Sequence, residues 1–194
     1  MILEKVCNFK ITYRWRYQMD LITIDKIKTI KEVTLEAIEF IFFMAMQVGW
    51  ASGKTFSSKA PLLPGYKVIP FDYYNFHVID AYSIPHSGKS EGFTKIRFQN
   101  FPVWSMSYGG SYPKEVIPFL KLALMENYSK KIFNGGRGPS TFRHSEFPQL
   151  TYENNLSFCY NDLKGLKKHE GYEYISTPGR GSIGTHWYHG MSLI

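Results

Sequence analysis

The stretch Phe93-Thr94-Lys95-Ile96-Arg97-Phe98-Gln99 decides how the rest of the chain is read. Thr94, Ile96 and Phe98 alternate with Lys95, Arg97 and Gln99. In an extended chain successive side chains leave on opposite faces, so one side of this segment is dry and the other meets water. An antiparallel sheet with one solvated face asks for that alternation, whereas strands of a buried parallel sheet are apolar throughout. Working outward, segments of the same kind occur at Tyr66–Phe71, Phe76–Tyr82 and Val103–Tyr108. The turn residues Asn75, Ser87-Gly88 and Asn100 to Pro102 separate them, and the spacing predicts a four-stranded meander.

Upstream, Thr34 to Gly49 reads as a helix. Thr34 can cap the first turn, Glu36 stands near its positive end, and Gly49 can take the left-handed stop position. Between them Ile38, Phe40, Ile41, Phe42, Met44, Ala45 and Val48 run almost all the way round, which a helix tolerates only when it is buried on several sides. Downstream, Pro113 or Pro118 suits the first turn of a second helix, where the ring costs no hydrogen bond. Val116, Phe119, Leu120, Ala123 and Leu124 form its buried stripe, and Lys130, Lys131 and Asn134-Gly135 mark its end. Three more strands are expected at Gln149–Asn154, Tyr172–Ser176 and Thr185–Ile194.

The predicted fold is therefore α+β: a curved, mainly antiparallel sheet of about seven strands wrapped on the helix 35–48, in the order helix, four strands, helix, three strands. Both sheet segments end alike, with Tyr108 matching Tyr188 and Gly110 matching Gly190, a weak internal repeat. Residues 34–194 make one domain, as a length of 194 allows. Residues 1–33 are an N-terminal extension, and Met19 could begin the chain as well as Met1.

Composition narrows the classes. Hydrophobic residues are 44% and charged residues 20%, which excludes wholesale disorder, and an aromatic share of 17% favours sheet. The net charge of +7 is divided as +4 on 1–97 and +3 on 98–194, so neither half is a basic arm. Cys7 and Cys159 stand far apart with no Cys-x-x-Cys pair, which fits a reducing cytoplasm and indicates neither a disulfide framework nor a zinc ribbon. The apolar run Phe40 to Val48 is about half of the roughly 20 residues a membrane span requires, so no membrane is expected. Cofactors are not expected either.

Two loops set an arginine among glycines: Gly135-Gly136-Arg137-Gly138-Pro139-Ser140 and Pro178-Gly179-Arg180-Gly181-Ser182. Backbone amides there can approach an anion while the guanidinium grips it in bidentate fashion, although glycine as plain turn chemistry explains both loops without a ligand. On a strand His186 points with Tyr188 and His189 with Trp187, so the pair cannot share a metal. Asp80 shares a face with Phe76, Val78 and Tyr82, where a carboxylate needs a partner or a raised pKa unless the strand end exposes it. No nucleophile motif such as Gly-x-Ser-x-Gly occurs. The basic and aromatic run Phe9 to Tyr17, with Arg14 and Arg16, could stack bases, but no nucleic-acid motif accompanies it and that partner is not expected.

Trp50-Ala51-Ser52-Gly53, Pro64-Gly65, Phe76 to Tyr82, Pro102 to Gly109, Phe119 to Leu124, Arg137-Gly138-Pro139 and Tyr188-His189-Gly190 together resemble a bacterial domain family of unknown function. That family occurs alone or behind a helix-turn-helix in transcriptional regulators. The resemblance implies a cytoplasmic α+β domain with a sensing role, and it carries no catalytic residue. The 33 residues before the first helix are too few for a helix-turn-helix module.

The expectation drawn from these readings is non-catalytic binding of a small anionic molecule. Arg137 and Arg180 would grip it, and Trp104, Tyr108, Tyr188, His189 and Asp80 would line the site. The alternatives are an enzyme using Asp80 or His189 as a base on a small polar substrate, and a basic, aromatic nucleic-acid binder. The sequence leaves a homo-oligomer open.

Overall fold

The computed structural model describes residues 24–53, 58–59, 63–85, 87–159 and 165–194. The Phe9 to Tyr17 run and the choice between Met1 and Met19 lie outside them. Among the described residues there are two α-helices, α1 (Leu35–Val48) and α2 (Ile117–Lys130). Nine strands accompany them: β1 (Ser58–Lys59), β2 (Lys67–Tyr73), β3 (Phe76–Ser83), β4 (Lys89–Phe98), β5 (Phe101–Ser111), β6 (Thr141–Phe142), β7 (Thr151–Cys159), β8 (Lys168–Thr177) and β9 (Gly181–Ser192). All lie in one sheet of order β1-β2-β3-β4-β5-β9-β8-β7-β6, and each neighbouring pair is antiparallel.

The α+β class and the antiparallel sheet stand, while three finer expectations are corrected. Nine strands replace seven, because β1 and β6 are two-residue edge strands too short to show a period of two. They also alter the order, since each helix is followed first by one of these short strands. The sheet is not curved around α1: it stays open, with β1 and β6 at its edges. Finally, Gly49 does not take the left-handed stop; its φ is −75°, a 3-10 turn Trp50–Ser52 follows, and the left-handed residue is Gly53 at φ 68°.

Local chemistry explains the helices. Thr34 Oγ1 accepts from the Ala37 N–H at 3.3 Å, as a cap should. Ala37, Ile38, Ile41, Phe42, Phe43, Ala45 and Met46 of α1 are buried. Leu35–Ser52 is apolar and long enough to be weighed as a membrane span, but half of it is inside the core. Phe42 sits edge-on to Phe43, Trp104, Tyr128 and Phe133 with centroids 5.2–6.0 Å apart, the geometry aromatic quadrupoles prefer. α2 begins after a 3-10 turn, has Pro118 in its first turn, and stops at Lys131, whose φ is 53°.

The core starts ahead of α1. Ile24, Ile27 and Val33, which the sequence reading put in the extension, are buried with it. The two halves repeat one plan of helix followed by antiparallel meander, and they meet at β5 and β9. There Tyr108 lies opposite Tyr188, and Met106 opposite Gly190.

Candidate functional site

A cavity of about 180 Å³ opens between α2 and the helix-covered face of the sheet. Its walls are mostly apolar: Met46 and Trp50 from the end of α1 and the turn after it, Ile117, Leu120 and Leu124 from α2, and Met106 from β5. Polar side chains reach it from the sheet. These are Asp80 and Tyr82 on β3, Ser90 and Thr94 on β4, Tyr108 on β5, Tyr112 just beyond it and His186 on β9, with Lys114 from the 3-10 turn before α2 and Arg137 arriving from the loop after α2.

Asp80 is placed by the alternation of β3, whose pattern turns Phe76, Val78 and Asp80 inward. It is buried rather than exposed at a strand end. Its Oδ1 accepts from Thr94 Oγ1 at 3.0 Å and from the Tyr108 hydroxyl at 2.8 Å, and its Oδ2 makes no hydrogen bond to the described residues. Burial raises this carboxyl above the ordinary range, and the two donors and the Arg137 charge only partly oppose that. Tyr108 reaches Asp80 because position 92 is glycine: a Cβ there would stand 2.6 Å from the phenol oxygen.

Arg137 enters the core because Gly135 and Gly136 hold φ at 62° and 71°, values a side-chain-bearing residue adopts at a cost. α2 fixes that loop: Asn127 donates to the Arg137 carbonyl and the Tyr128 hydroxyl to the Gly136 carbonyl, both at 3.0 Å. The guanidinium meets Glu173 of β8. Nε donates to Oε2 at 3.1 Å, Nη2 donates to Oε1, and the Tyr152 hydroxyl adds a bond to Oε2 at 2.5 Å. Burial alone would raise Glu173 and lower Arg137, but each partner holds the other ionised, so Glu173 stays below the carboxylate range and Arg137 above its own. Nη1 of Arg137 makes no hydrogen bond to the described residues. The guanidinium carbon lies 5.5 Å from the centre of the Tyr108 ring.

Ser90 Oγ and His186 Nε2 are 2.9 Å apart, and His186 Nδ1 is 4.0 Å from Glu173 Oε1. The row Ser90, His186, Glu173 has the residue types of a nucleophile relay, but its last link is too long for a hydrogen bond. Glu173 is already taken by Arg137 and Tyr152, and burial pushes the imidazole down to about 4, leaving a neutral ring and a weak base. His186 Nδ1 and the Tyr112 hydroxyl are buried without a hydrogen-bond partner among the described residues.

Of the seven residues proposed from sequence, Asp80, Tyr108 and Arg137 meet at this cavity, and Tyr108, Tyr188 and His189 lie together along a second groove. Arg180 is not with them. It is exposed in the turn between β8 and β9 and does not line the cavity. Trp104 is wholly buried core, its indole N–H donating to the Leu166 carbonyl at 3.0 Å. Tyr188 is buried, and its hydroxyl donates to Asn154 Oδ1 at 2.5 Å. His189 is exposed and lines that second groove, with Trp187, Glu170 and Glu91. His186 and His189 do point to opposite sides of the sheet, as strand alternation requires.

Glu173, His186, Ser90 and Tyr112 were missed as site residues. For Glu173 a signal existed: Gly171, Glu173 and Ile175 form the inward row of β8, and a carboxylate on a dry face demands a buried cation. No family model, curated protein or solved structure matches the chain.

Proposed function

We propose that this chain is a binding domain that holds a small molecule in the cavity between α2 and the sheet. The observation that carries the reading is the polar floor of an otherwise apolar chamber, where the Tyr112 hydroxyl and His186 Nδ1 are buried without hydrogen-bond partners among the described residues. Buried polar groups are normally satisfied, and a ligand is one way to satisfy these. A sensing role in the cytoplasm is the form suggested by the family resemblance in the sequence. The resemblance and the cellular location rest on sequence alone.

The anion expected from two arginines finds weaker support than a small molecule in general. Arg137 is shared with Glu173, Arg180 is elsewhere, and an anion would also face Asp80, so the cation left to meet it on the wall is Lys114. A thermal-shift screen over nucleotides, sugar phosphates, carboxylates and neutral heterocycles tests the reading. A ligand at a hundred times its Kd adds about 2.7 kcal/mol, which for a chain of this size is a Tm rise of roughly 5–10 °C. Failure of all four classes to move Tm counts against it.

A second reading, an enzyme with Asp80 as general base, is favoured by one observation: a buried carboxyl with a raised pKa lining a cavity. It requires turnover that Asp80→Asn removes while binding persists. His189 gives this reading no support, because it faces the other side of the sheet.

A further inference from the structure

Independently of the cavity, we infer that the groove along Trp187 and His189 is a second site, one that takes a small organic cation carrying a guanidinium group. Strand register builds it. Glu91 of β4 lies opposite Gly109 of β5, Gly109 opposite Trp187 of β9, and Trp187 opposite Tyr172 of β8. In the next row Phe93, Ser107, His189 and Glu170 stand in the same order. Residues paired directly across strands share a face, and the alternation that sends Ser90 and His186 into the cavity sends Glu91 and Trp187 the other way. Because β5 contributes only Gly109 and Ser107 to these two rows, the floor is low. The side chains of β4 and β9 rise on either side of it, from backbones two strand spacings, about 10 Å, apart. The groove has a volume of about 520 Å³, the scale of small-molecule sites.

Charge and aromatic surface select the guest. Glu91 and Glu170 line the groove, and among the described residues no lysine or arginine does. The nearest lysines lie one row away at either end, Lys89 on one side, Lys95 and Lys168 on the other. Lys95 and Lys168 are each already placed on a ring, with Nζ 4.9 Å from the centre of Phe93 and 5.5 Å from that of Phe158. Trp187 is the exception on this face. It is 63% exposed, no cation lies over it among the described residues, and indole is the side-chain ring that attracts cations most strongly. Both walls are held in place. Tyr172 packs against the indole with centroids 4.9 Å apart, and the Tyr66 hydroxyl donates to Glu91 Oε1 at 2.6 Å.

An indole on one wall and a carboxylate on the other suit a guanidinium better than an ammonium. A guanidinium is planar and weakly hydrated, so it lies flat on a ring while its edge donates paired hydrogen bonds to a carboxylate. An ammonium is a compact, strongly hydrated charge with no face to stack. A neutral sugar could lie on Trp187, but it would leave the charge of Glu91 and Glu170 unused.

The test is a ¹H–¹⁵N NMR titration of the full chain with propylguanidinium, propylammonium and methyl glucoside, followed at the Trp187 indole N–H and the Gly109 amide. Propylguanidinium is expected to shift both signals and to bind at least five-fold more tightly than either other probe. Equal or tighter binding of propylammonium overturns the guanidinium assignment, and equal or tighter binding of methyl glucoside overturns the cation. Silence from all three removes the site and leaves the cavity reading untouched. Glu91→Gln, which keeps an acceptor for Tyr66, and Trp187→Ala should each weaken propylguanidinium at least five-fold at the Gly109 amide, while Trp187→Phe retains part of the affinity. Unchanged affinity in Glu91→Gln or Trp187→Ala overturns the placement. The same spectra report whether each variant is folded, and if Glu91→Gln is not, Glu170→Gln must produce a loss of affinity for the charge argument to stand.

Discussion

Replacing Glu173 by Gln asks whether the buried ion pair organises this molecule. Glu173 is 0% exposed and Arg137 6%. The substitution keeps the side-chain volume, removes the charge, and turns one acceptor into an NH₂ group aimed at a guanidinium. Arg137 is then a cation in the core with no opposite charge beside it, since the next carboxyl, Asp80, forms no ion pair with it among the described residues. Stranding one member of a buried pair costs about 3–5 kcal/mol, which for a domain of this length lowers Tm by roughly 6–20 °C. The companion variant, Glu173→Leu with Arg137→Met, removes both charges, and such replacements are often neutral or stabilising. Urea unfolding at pH 7 of the two single variants and the double variant gives the cycle, and a coupling of at least about 2 kcal/mol is expected. A Glu173→Gln loss below about 1 kcal/mol, or single effects that simply add, would refute the reasoning. The acid limb has a definite sign. Because Arg137 holds Glu173 below its usual range, its stabilisation is complete above the ordinary carboxylate pKa and disappears as pH falls through the folded value.

Other expectations follow from single contacts. His169 and His186 are each pushed from 6.5 down to about 4 by burial, so the unfolded chain binds protons that the folded chain refuses. Stability should fall by about 2 kcal/mol per histidine between pH 8 and pH 5, and in His169→Asn the pH dependence of urea unfolding should flatten by that amount. An unchanged slope contradicts the burial of that ring. Gly92→Ala places a methyl against the Ala81 carbonyl and the Tyr108 phenol, both 2.6 Å away; it should cost about 1–3 kcal/mol as overpacking does and break ligand binding by displacing Tyr108 from Asp80. Gly179→Ala is the contrast: open space surrounds it, only its φ of 76° resists, and a loss of about 1 kcal/mol with ligand binding intact is expected. A larger loss from position 179 than from position 92 would contradict this reading of the two sites.

How much was legible follows from the range of each interaction. The strands of the two meanders were visible because their alternation is local, written in residues two apart such as Thr94, Ile96 and Phe98. The Thr34 cap was visible for the same reason. The edge strands β1 and β6 were not, since two residues hold no period. Openness of the sheet was also beyond reach, because it depends on which strands find no partner across the whole fold.

The site shows the same division. Asp80 and Tyr108 were both expected to line a site, although exposure at a strand end was the plainer expectation for Asp80, and they meet at 2.8 Å. Arg137 was recognised as unusual, but its glycine setting suggested a grip on a ligand when its first partner is Glu173, 36 residues along the chain. A Gly-Arg-Gly loop looks alike whether the guanidinium turns in or out. Arg137 turns in, tied by Asn127 and Tyr128, and Arg180, in a bare hairpin turn, stays in solvent. Tyr188 and His189 were both expected to line one site, although neighbours on a strand face opposite ways.

A crystal of the full chain soaked with the strongest stabiliser from the thermal-shift screen tests the central claim most directly. The account predicts that molecule in the chamber between Tyr108 and the α2 side chains Leu120 and Leu124, within hydrogen-bonding distance of a polar group of the wall such as Asp80, Tyr112 or His186. A chamber closed by Trp50 and Ile117 collapsing onto Tyr108, with the stabiliser bound elsewhere, would contradict it.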